Sequence, residues 1–273
     1  MLSAVQDCAR EAEILQQLEH PHIISCLHAS LTPGQLYITT PYQAGGNLKN
    51  LLRGRQDPLP WEQRLSYARQ IAGACEVLHQ HGLIHRDIKA ENILLDGALQ
   101  NALLADFGLA RRLNDPVDPP IPNLWLPATV SIDPKLRFPN RIPVQMHPIS
   151  EESALSGTPS HMAPELFEVS RAISDRADVY AFGVLLWELL TRECPFPGMD
   201  FTAIAFHTLA DGKFDIRSVP PFVPAKYIPA SKWPAAYQQL MASCWLRDPL
   251  RRPSFTVVKK ILSHFQPDGF VDN

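Results

Sequence analysis

The sequence predicts an α+β fold that is mainly helical, in which two lobes share a cleft. Apolar residues recur at helical spacing early in the chain and again from Trp61 to His81. Residues 35–40 have strand composition and follow a turn at Pro33-Gly34. A continuous apolar run from Val179 to Leu190 indicates a helix that is buried on all sides. With 273 residues, the chain is long enough for one large domain or for two lobes.

Local signals support the remaining elements in chain order. Gly45-Gly46-Asn47 is a helix start signal, and Gly82 is suited to the left-handed cap that ends a helix. Asp96-Gly97 predicts a turn between two short strands. The further elements predicted are a helix through Leu51-Leu52, strands at 93–95 and 102–104, and helices at 201–211, 235–246 and 254–265.

Composition and charge exclude several classes of protein. The net charge is −3 and the basic residues are scattered, so we expect no nucleic-acid surface. The longest apolar run is too short to span a bilayer and contains Glu188. No basic, apolar leader opens the chain, so a secretory signal is not expected. The five cysteines have no metal-ligand spacing and predict free thiols in a reducing, cytoplasmic compartment.

The most informative stretch is His85–Asn92, which is followed by Asp106-Phe107-Gly108. Asp87 could accept the proton of a hydroxyl group, and Lys89 could neutralise a phosphoryl group in transfer. Asn92 and the carboxylate of Asp106 are hard oxygen ligands, which suit Mg²⁺ or Mn²⁺ and not Zn²⁺. These residue types at these offsets predict a phosphoryl-transfer site.

These motifs resemble those of the eukaryotic protein kinases. Later landmarks follow in the family's order: Gly157-Thr158, Ala163-Pro164-Glu165 and the run that begins at Asp178. The resemblance implies a protein-kinase-like fold with a mainly α-helical C-terminal lobe. It also implies ATP as phosphoryl donor and a protein Ser or Thr hydroxyl as acceptor. Lys89 and Thr158 resemble the serine/threonine type, and residues 181–189 with Cys244-Trp245 are closest to the tyrosine-kinase-like group.

The resemblance covers almost the whole chain, but its N-terminal part is short. The helix that ends before His20 resembles the family's helix αC, and the residues after it resemble the family's strands β4 and β5. The Gly-rich loop and the strand-β3 lysine that hold ATP in this family have no candidate. We therefore expect a truncated N-terminal lobe at 1–40 and a hinge and C-terminal lobe at 41–273. A gene start placed at an internal methionine would account for the missing strands.

The short N-terminal lobe has physical consequences. A two-stranded hairpin is marginal in water, and the free edge of the family's β5 strand invites a partner chain. Glu11 stands where the family places its αC glutamate, but without a lysine partner we expect a solvated carboxylate. Losing one preorganised charge-stabilising group can cost roughly 10²–10³ in turnover. We expect weak activity, and the alternative is a pseudokinase or kinase fragment that serves as a protein-binding module.

The resemblance also implies roles for residues around the cleft. Thr40 matches the gatekeeper, and Tyr42 and Gln43 lie in the hinge that contacts adenine through backbone groups. Among the residues expected to be structural, His85 packs under Phe107, Asp178 holds the backbone of the catalytic loop, and Glu165 pairs with Arg252. His161 departs from the aromatic residue that is often found at its position.

Residues 111–156 form a long Pro-rich insert in the activation segment. Nine prolines between 115 and 148 exclude regular helix and central strand. We expect a disordered linker, with docking by polyproline-like turns as the alternative. Arg86 stands where kinases switched by phosphorylation carry a phosphate-receiving arginine, and Ser153, ahead of Ser156, is the first candidate phosphosite. Glu151 and Glu152 could instead supply that charge.

This regulation predicts that replacing both Ser153 and Ser156 by alanine lowers kinase activity, because no phosphate can then pair with Arg86. Phosphorylation of a generic acceptor by the double variant and by the unchanged chain measures the effect. Equal activity of the two proteins would end the hypothesis.

Overall fold

Helix α4 (Arg176–Thr191) lies at the centre of the structure. The structure is a computed structural model that describes residues 2–32, 35–54, 59–113, 157–167, 173–209 and 234–265. All 16 residues of α4 are buried. A surface helix keeps a polar face in water, so this burial means that neighbouring elements cover every face. The predicted helix with burial on all sides is confirmed.

The described part of the chain is mainly helical, as the sequence predicts. Besides α4, its helices are α1 (Leu2–Gln17), α2 (Leu48–Gly54), α3 (Trp61–Gln80), α5 (Phe201–Leu209), α6 (Ala235–Cys244) and α7 (Phe255–Ser263). Its strands are β1 (His28–Thr32), β2 (Gln35–Thr39), β3 (Leu83–Ile84), β4 (Ile93–Leu95), β5 (Ala102–Leu104) and β6 (Arg111–Arg112). Numbering follows this chain, so β1 and β2 are the strands that resemble the family's β4 and β5.

The N-terminal part consists of α1 packed on the hairpin of β1 and β2. The two strands are antiparallel, with His28 opposite Thr39. Ile14 and Leu15 of α1 and Leu18 directly after it are buried, which confirms the apolar face predicted from their spacing. Among the described strands β2 pairs only with β1, so its other edge has no strand partner there. The boundary near residue 40 between two lobes stays a prediction.

Helix α3 ends where the sequence predicts, at Gly82. This residue has a φ of +68°, a left-handed conformation that glycine adopts without steric cost. The chain then turns into β3, which pairs with β6. The segment that carries Asp87 follows β3 directly and leads through a 3-10 turn at Ala90–Asn92 into β4. The end of α3 therefore sets where the candidate catalytic segment begins.

Strand β5 joins the N-terminal part to the rest of the chain. The Ile24 backbone N–H donates to the Leu104 carbonyl at 2.9 Å, and the Leu104 N–H donates to the His22 carbonyl at 2.9 Å. One residue further on, the Ala105 N–H donates to the carbonyl of Asn92 at 2.9 Å. These bonds place Asn92 beside the segment that leads to Asp106.

A buried ion pair ties the segment after the insert to the C-terminal part. Arg252 binds Glu165 through two parallel bonds, with Nη1–Oε1 and Nη2–Oε2 distances of 2.6 and 2.7 Å. Its Nη1 also donates to the Arg176 carbonyl at 2.9 Å, and its guanidinium lies 5.1 Å from the Tyr180 ring centroid. This is the contact that the resemblance implies, and its hydrogen bonds satisfy both buried charges.

Several sequence predictions lie outside the described residues. These are the turn at Pro33-Gly34, the insert beyond Leu113 with Ser153 and Ser156, and positions 210 and 211 of the helix predicted at 201–211. The five cysteines, by contrast, are all described, and all are free.

We expect Arg252→Ala to lower the free energy of unfolding by about 3–5 kcal/mol, because it leaves the Glu165 carboxylate buried without its cation. Urea unfolding followed by circular dichroism measures the loss. Arg10→Ala, which removes an exposed pair with Asp7, is the control and should cost less than about 1 kcal/mol. Equal losses in the two variants would contradict a structural role for the buried pair.

Candidate active site

Three side chains hold the carboxylate of Asp87. The Lys89 Nζ lies 2.6 Å from Oδ2, and the Asn92 Nδ2 donates to the same oxygen at 2.8 Å. The Thr158 hydroxyl donates to Oδ1 at 2.8 Å and accepts from Lys89 Nζ at 2.6 Å. The structure therefore brings together four residues, of which Asp87 and Thr158 are 71 positions apart in the sequence. A carboxylate held in this way has a fixed direction, which positioning of a reacting hydroxyl requires.

Opposing effects act on the charge of Asp87. Burial by itself raises the pKa of the carboxyl, because a poorly solvated site disfavours charge. Hydrogen bonds from Lys89, Thr158 and Asn92, together with the positive charge of Lys89, outweigh burial and hold the pKa below its usual value. Asp87 is therefore ionised at neutral pH and acts as a hydrogen-bond acceptor.

Asp178 of α4 supports this loop from beneath. Its side chain is fully buried, and it accepts hydrogen bonds from the backbone N–H groups of His85 and Arg86, both at 2.8 Å. Arg86 has a φ of +71°, a conformation that is uncommon for a residue with a side chain. The two bonds stabilise this strained backbone, and they turn the next residue, Asp87, toward Thr158.

A cavity of about 490 Å³ lies beside Asn92 and Asp106. This volume is within the range of about 300–1,000 Å³ that is usual for small-molecule sites. The cavity is lined by residues of α1, β2 and the segments around β4 and β5: Cys8, Glu11, Leu15, Ile24, Ile38, Thr40, Glu91, Asn92, Leu94, Ala105 and Asp106. Three of the residues predicted to bind nucleotide or metal thus share one cleft.

Asn92 and Asp106 are the residues that fit a divalent cation. Asn92 donates from Nδ2 to Asp87, so Oδ1 is its available ligand atom. Asp106 is exposed at the cleft. An amide oxygen and one carboxylate suit Mg²⁺, which usually takes its other ligands from water and phosphates. No group of three or more His, Cys, Asp or Glu side chains in the described ranges could hold a metal by itself.

The expectation that Glu11 is a solvated carboxylate is wrong. The side chain is only partly exposed, and its Oε1 accepts a hydrogen bond from the Phe107 backbone N–H at 3.2 Å. Burial raises its pKa, and the negative charge of Asp106 raises it further. Packing of α1 against the segment at Phe107 explains the difference, because helical spacing alone does not reveal what covers a helix.

His85 lies beneath Phe107, the contact that the resemblance implies. The ring centroids are 4.8 Å apart in an edge-to-face arrangement, and His85 is fully buried. Its Nε2 lies 3.1 Å from the Ala105 carbonyl oxygen. Burial lowers the pKa of His85, so the ring is neutral at neutral pH and acts in packing.

Arg86 has a guanidinium that is buried and incompletely paired. Its Nε and Nη2 are among the buried nitrogen atoms with no hydrogen-bond partner in the described structure. Burial lowers its pKa to about 10, and the nearby positive charge of Arg111 contributes to this shift. The unpartnered Nε and Nη2 of Arg86, beside the positive charge of Arg111, form a place where an anion would be stabilised.

The predicted hinge residues differ in their surroundings. Thr40 lines the cleft, whereas the side chain of Tyr42 is 90% exposed. Gln43 is partly exposed, and its Nε2 donates to the Pro41 carbonyl at 3.4 Å. Neither Tyr42 nor Gln43 is among the residues that line the described cleft, and contact with adenine through their backbone groups stays a prediction.

Sequence reasoning missed a second carboxylate near this site. Glu188 of α4 is fully buried, and its partners are Arg53, His161 and the Ala90 backbone N–H. An acid inside an apolar run is a signal for a buried, paired charge. His161, Ala90 and Arg53 lie 27, 98 and 135 positions from Glu188, so the sequence could not show that they are its partners.

No helix in the described ranges is both long enough and apolar enough to cross a membrane.

Known proteins resemble this chain over nearly its whole length. A probable serine/threonine-protein kinase of Dictyostelium discoideum is 31% identical over 95% of this chain and 23% of its own length. Human mitogen-activated protein kinase kinase kinase 11 is 34% identical over 91% of this chain and 25% of its own length. A putative serine/threonine-protein kinase/receptor of Acanthamoeba polyphaga mimivirus is 31% identical over 94% of this chain and 13% of its own length. The chain thus spans a quarter or less of these relatives.

Residues 2–265 match the family described as protein kinase domain. The match includes the segment around Asp87 and the cleft around Asp106. The chain belongs to the protein kinase domain family.

Proposed function

We propose that this chain is a protein serine/threonine kinase that transfers the γ-phosphoryl group of ATP to a Ser or Thr hydroxyl of another protein. The observation that carries the proposal is the cluster of Asp87, Lys89, Asn92 and Thr158 beside the cleft that contains Asp106. Phosphoryl transfer needs chiefly positioning and charge stabilisation, and this cluster offers both.

Asp87 would orient the acceptor hydroxyl. Its carboxylate is ionised, because Lys89 and Thr158 lower its pKa, and it would accept the hydroxyl hydrogen bond. Lys89 lies 2.6 Å from Asp87 and is placed to stabilise negative charge that develops nearby. The acceptor oxygen would attack the γ-phosphorus while the bond from that phosphorus to the bridging oxygen breaks and ADP leaves, and the acceptor proton would move toward Asp87.

Asn92 and Asp106 would hold Mg²⁺ or Mn²⁺, while Thr40 and the backbone of Tyr42 and Gln43 would contact adenine. When bound, the cation neutralises phosphate charge. Support comes from the oxygen ligands and from the volume of the cleft.

The assignment to Ser and Thr acceptors rests on two kinds of support. Lys89 and Thr158 resemble serine/threonine kinases, and they are in direct contact in this structure. The Dictyostelium and mimivirus relatives carry serine/threonine-protein kinase in their names.

A specific observation favours the alternative, a binding module without activity. The residues that line the described cleft include no lysine or arginine, although three carboxylates are present at Glu11, Glu91 and Asp106. Lys49 pairs with Glu91 at 2.7 Å, which leaves Glu11 and Asp106 to repel the phosphates of a nucleotide. Nucleotide binding would then depend strongly on Mg²⁺ or Mn²⁺.

We further propose that a phosphorylated residue regulates the site through Arg86, with Ser153 as the first candidate. The free Nε and Nη2 of Arg86 support this role, and the charge of Arg111 adds to it. Among the described strands, β2 pairs on one edge only, which supports pairing of its other edge with a partner chain. The free cysteines support a reducing, cytoplasmic location.

Asp87→Asn and Asp106→Asn should each lower phosphorylation of a generic acceptor with Mg²⁺ and ATP by about 10²-fold or more, since each removes a charge used in the transfer. Glu62→Gln removes an exposed carboxylate at the start of α3 and serves as a control with unchanged activity. The same low background in all four proteins would reject the kinase proposal for this chain and favour the binding module.

Glu11→Gln should stabilise the chain at pH 7 and have little effect at about pH 4, near the ordinary pKa of a glutamate. The raised pKa of Glu11 means that the folded state favours the protonated carboxyl, so wild-type stability falls as pH rises through that pKa. Thermal unfolding at both pH values measures the difference. The exposed Glu19→Gln variant is the control, and an equal pH response in both variants would contradict the effect.

A further inference from the structure

His161 is a buried side chain that the proposed function does not use. It ends the 3-10 turn Pro159–His161, which follows Thr158 directly, and it is 4% exposed. Its backbone N–H donates to the Thr158 carbonyl at 2.9 Å. A movement of the His161 ring would therefore move the turn that begins at Thr158.

Glu188 links three separate elements at this ring. Its Oε2 lies 3.0 Å from His161 Nε2 and accepts from the Ala90 backbone N–H at 3.2 Å. Its Oε1 accepts from Arg53 Nη2 of α2 at 2.8 Å. A fully buried carboxylate is stable only when donors surround it, so these bonds hold α2, the catalytic segment and the turn after Thr158 in one arrangement.

The direction of the His161 hydrogen bond follows from this geometry. An ionised carboxylate can only accept, so the hydrogen lies on Nε2. In the neutral ring, Nδ1 then accepts from the Ser160 hydroxyl, whose oxygen is 3.0 Å away. Both ring nitrogens are thus used, and the orientation of the ring is set on both sides.

We infer that His161 is a positioning residue: its bond to Glu188 sets the turn 159–161 and thereby holds Thr158 against Asp87 and Lys89. Thr158 makes three contacts in that position, through its hydroxyl to both residues and through its N–H to Asp87 Oδ1 at 3.2 Å. The effect of this positioning on catalysis rests on the proposed kinase function. The structural part of the role does not depend on activity.

Two substitutions separate positioning from packing. His161→Phe keeps an aromatic ring of similar size but removes the N–H that Glu188 accepts. His161→Gln has a smaller, non-aromatic side chain but retains an N–H donor near the place of Nε2. A packing role predicts that Phe is the better replacement, whereas the positioning role predicts that Gln is.

Amide hydrogen exchange of the full chain tests the inference without any need for activity. In His161→Phe, exchange across 157–163 should become roughly tenfold faster, the size expected for losing one hydrogen bond to a charged group. In His161→Gln it should stay within about threefold of the unchanged chain. His264→Leu, which removes an exposed imidazole after α7, is the control, and exchange in α3 reports whether each variant remains folded.

Unchanged exchange across 157–163 in His161→Phe would overturn the inference, and so would faster exchange in Gln than in Phe. If the chain phosphorylates an acceptor, kcat should fall about tenfold in His161→Phe and recover in Gln, with KM for ATP unchanged. If the unchanged chain shows no phosphorylation, the proposed function fails, and hydrogen exchange still decides the role of His161.

Discussion

The candidate site depends on the two hydrogen bonds that Asp178 accepts from the backbone N–H groups of His85 and Arg86. They hold Arg86 in a left-handed conformation and thereby direct Asp87 toward Lys89 and Thr158. Asp178 can make these bonds because it belongs to α4, the helix that other elements cover on every face. A rigid core helix thus determines the direction of a carboxylate in a loop, which is how a scaffold preorganises a site.

Charge is distributed unevenly around this site. Beneath Asp87, the buried carboxylates have partners: Asp178 has backbone donors, and Glu188 has Arg53 and His161. In the cleft, burial raises the pKa of Glu11 and the negative charge of Asp106 raises it further. The carboxylates beneath the loop therefore have their hydrogen-bond donors within the described chain. The cleft, by contrast, carries negative charge and is suited to a ligand that is bound together with a cation.

Much of the fold could be predicted from sequence because its signals are local. Gly82 ends α3, which is a common position for glycine. At the start of α2, the side chain of Asn47 accepts a hydrogen bond from the backbone N–H of Asn50, which is a common role for asparagine. The surroundings of Glu11 could not be predicted in this way. Its hydrogen bond to Phe107 joins positions 96 residues apart, and no periodicity of α1 reveals that contact.

By itself the sequence determined the mainly helical fold, the kinase-like motif and the residue types that could bind a metal and a phosphate. These follow from spacing and side-chain chemistry, which are properties of neighbouring residues. Only the tertiary structure decided that Glu11 is partly buried, that Arg86 has free donors and that Glu188 connects Arg53, Ala90 and His161. Burial and long-range hydrogen bonds depend on which distant segments pack together, and a linear pattern does not contain that information.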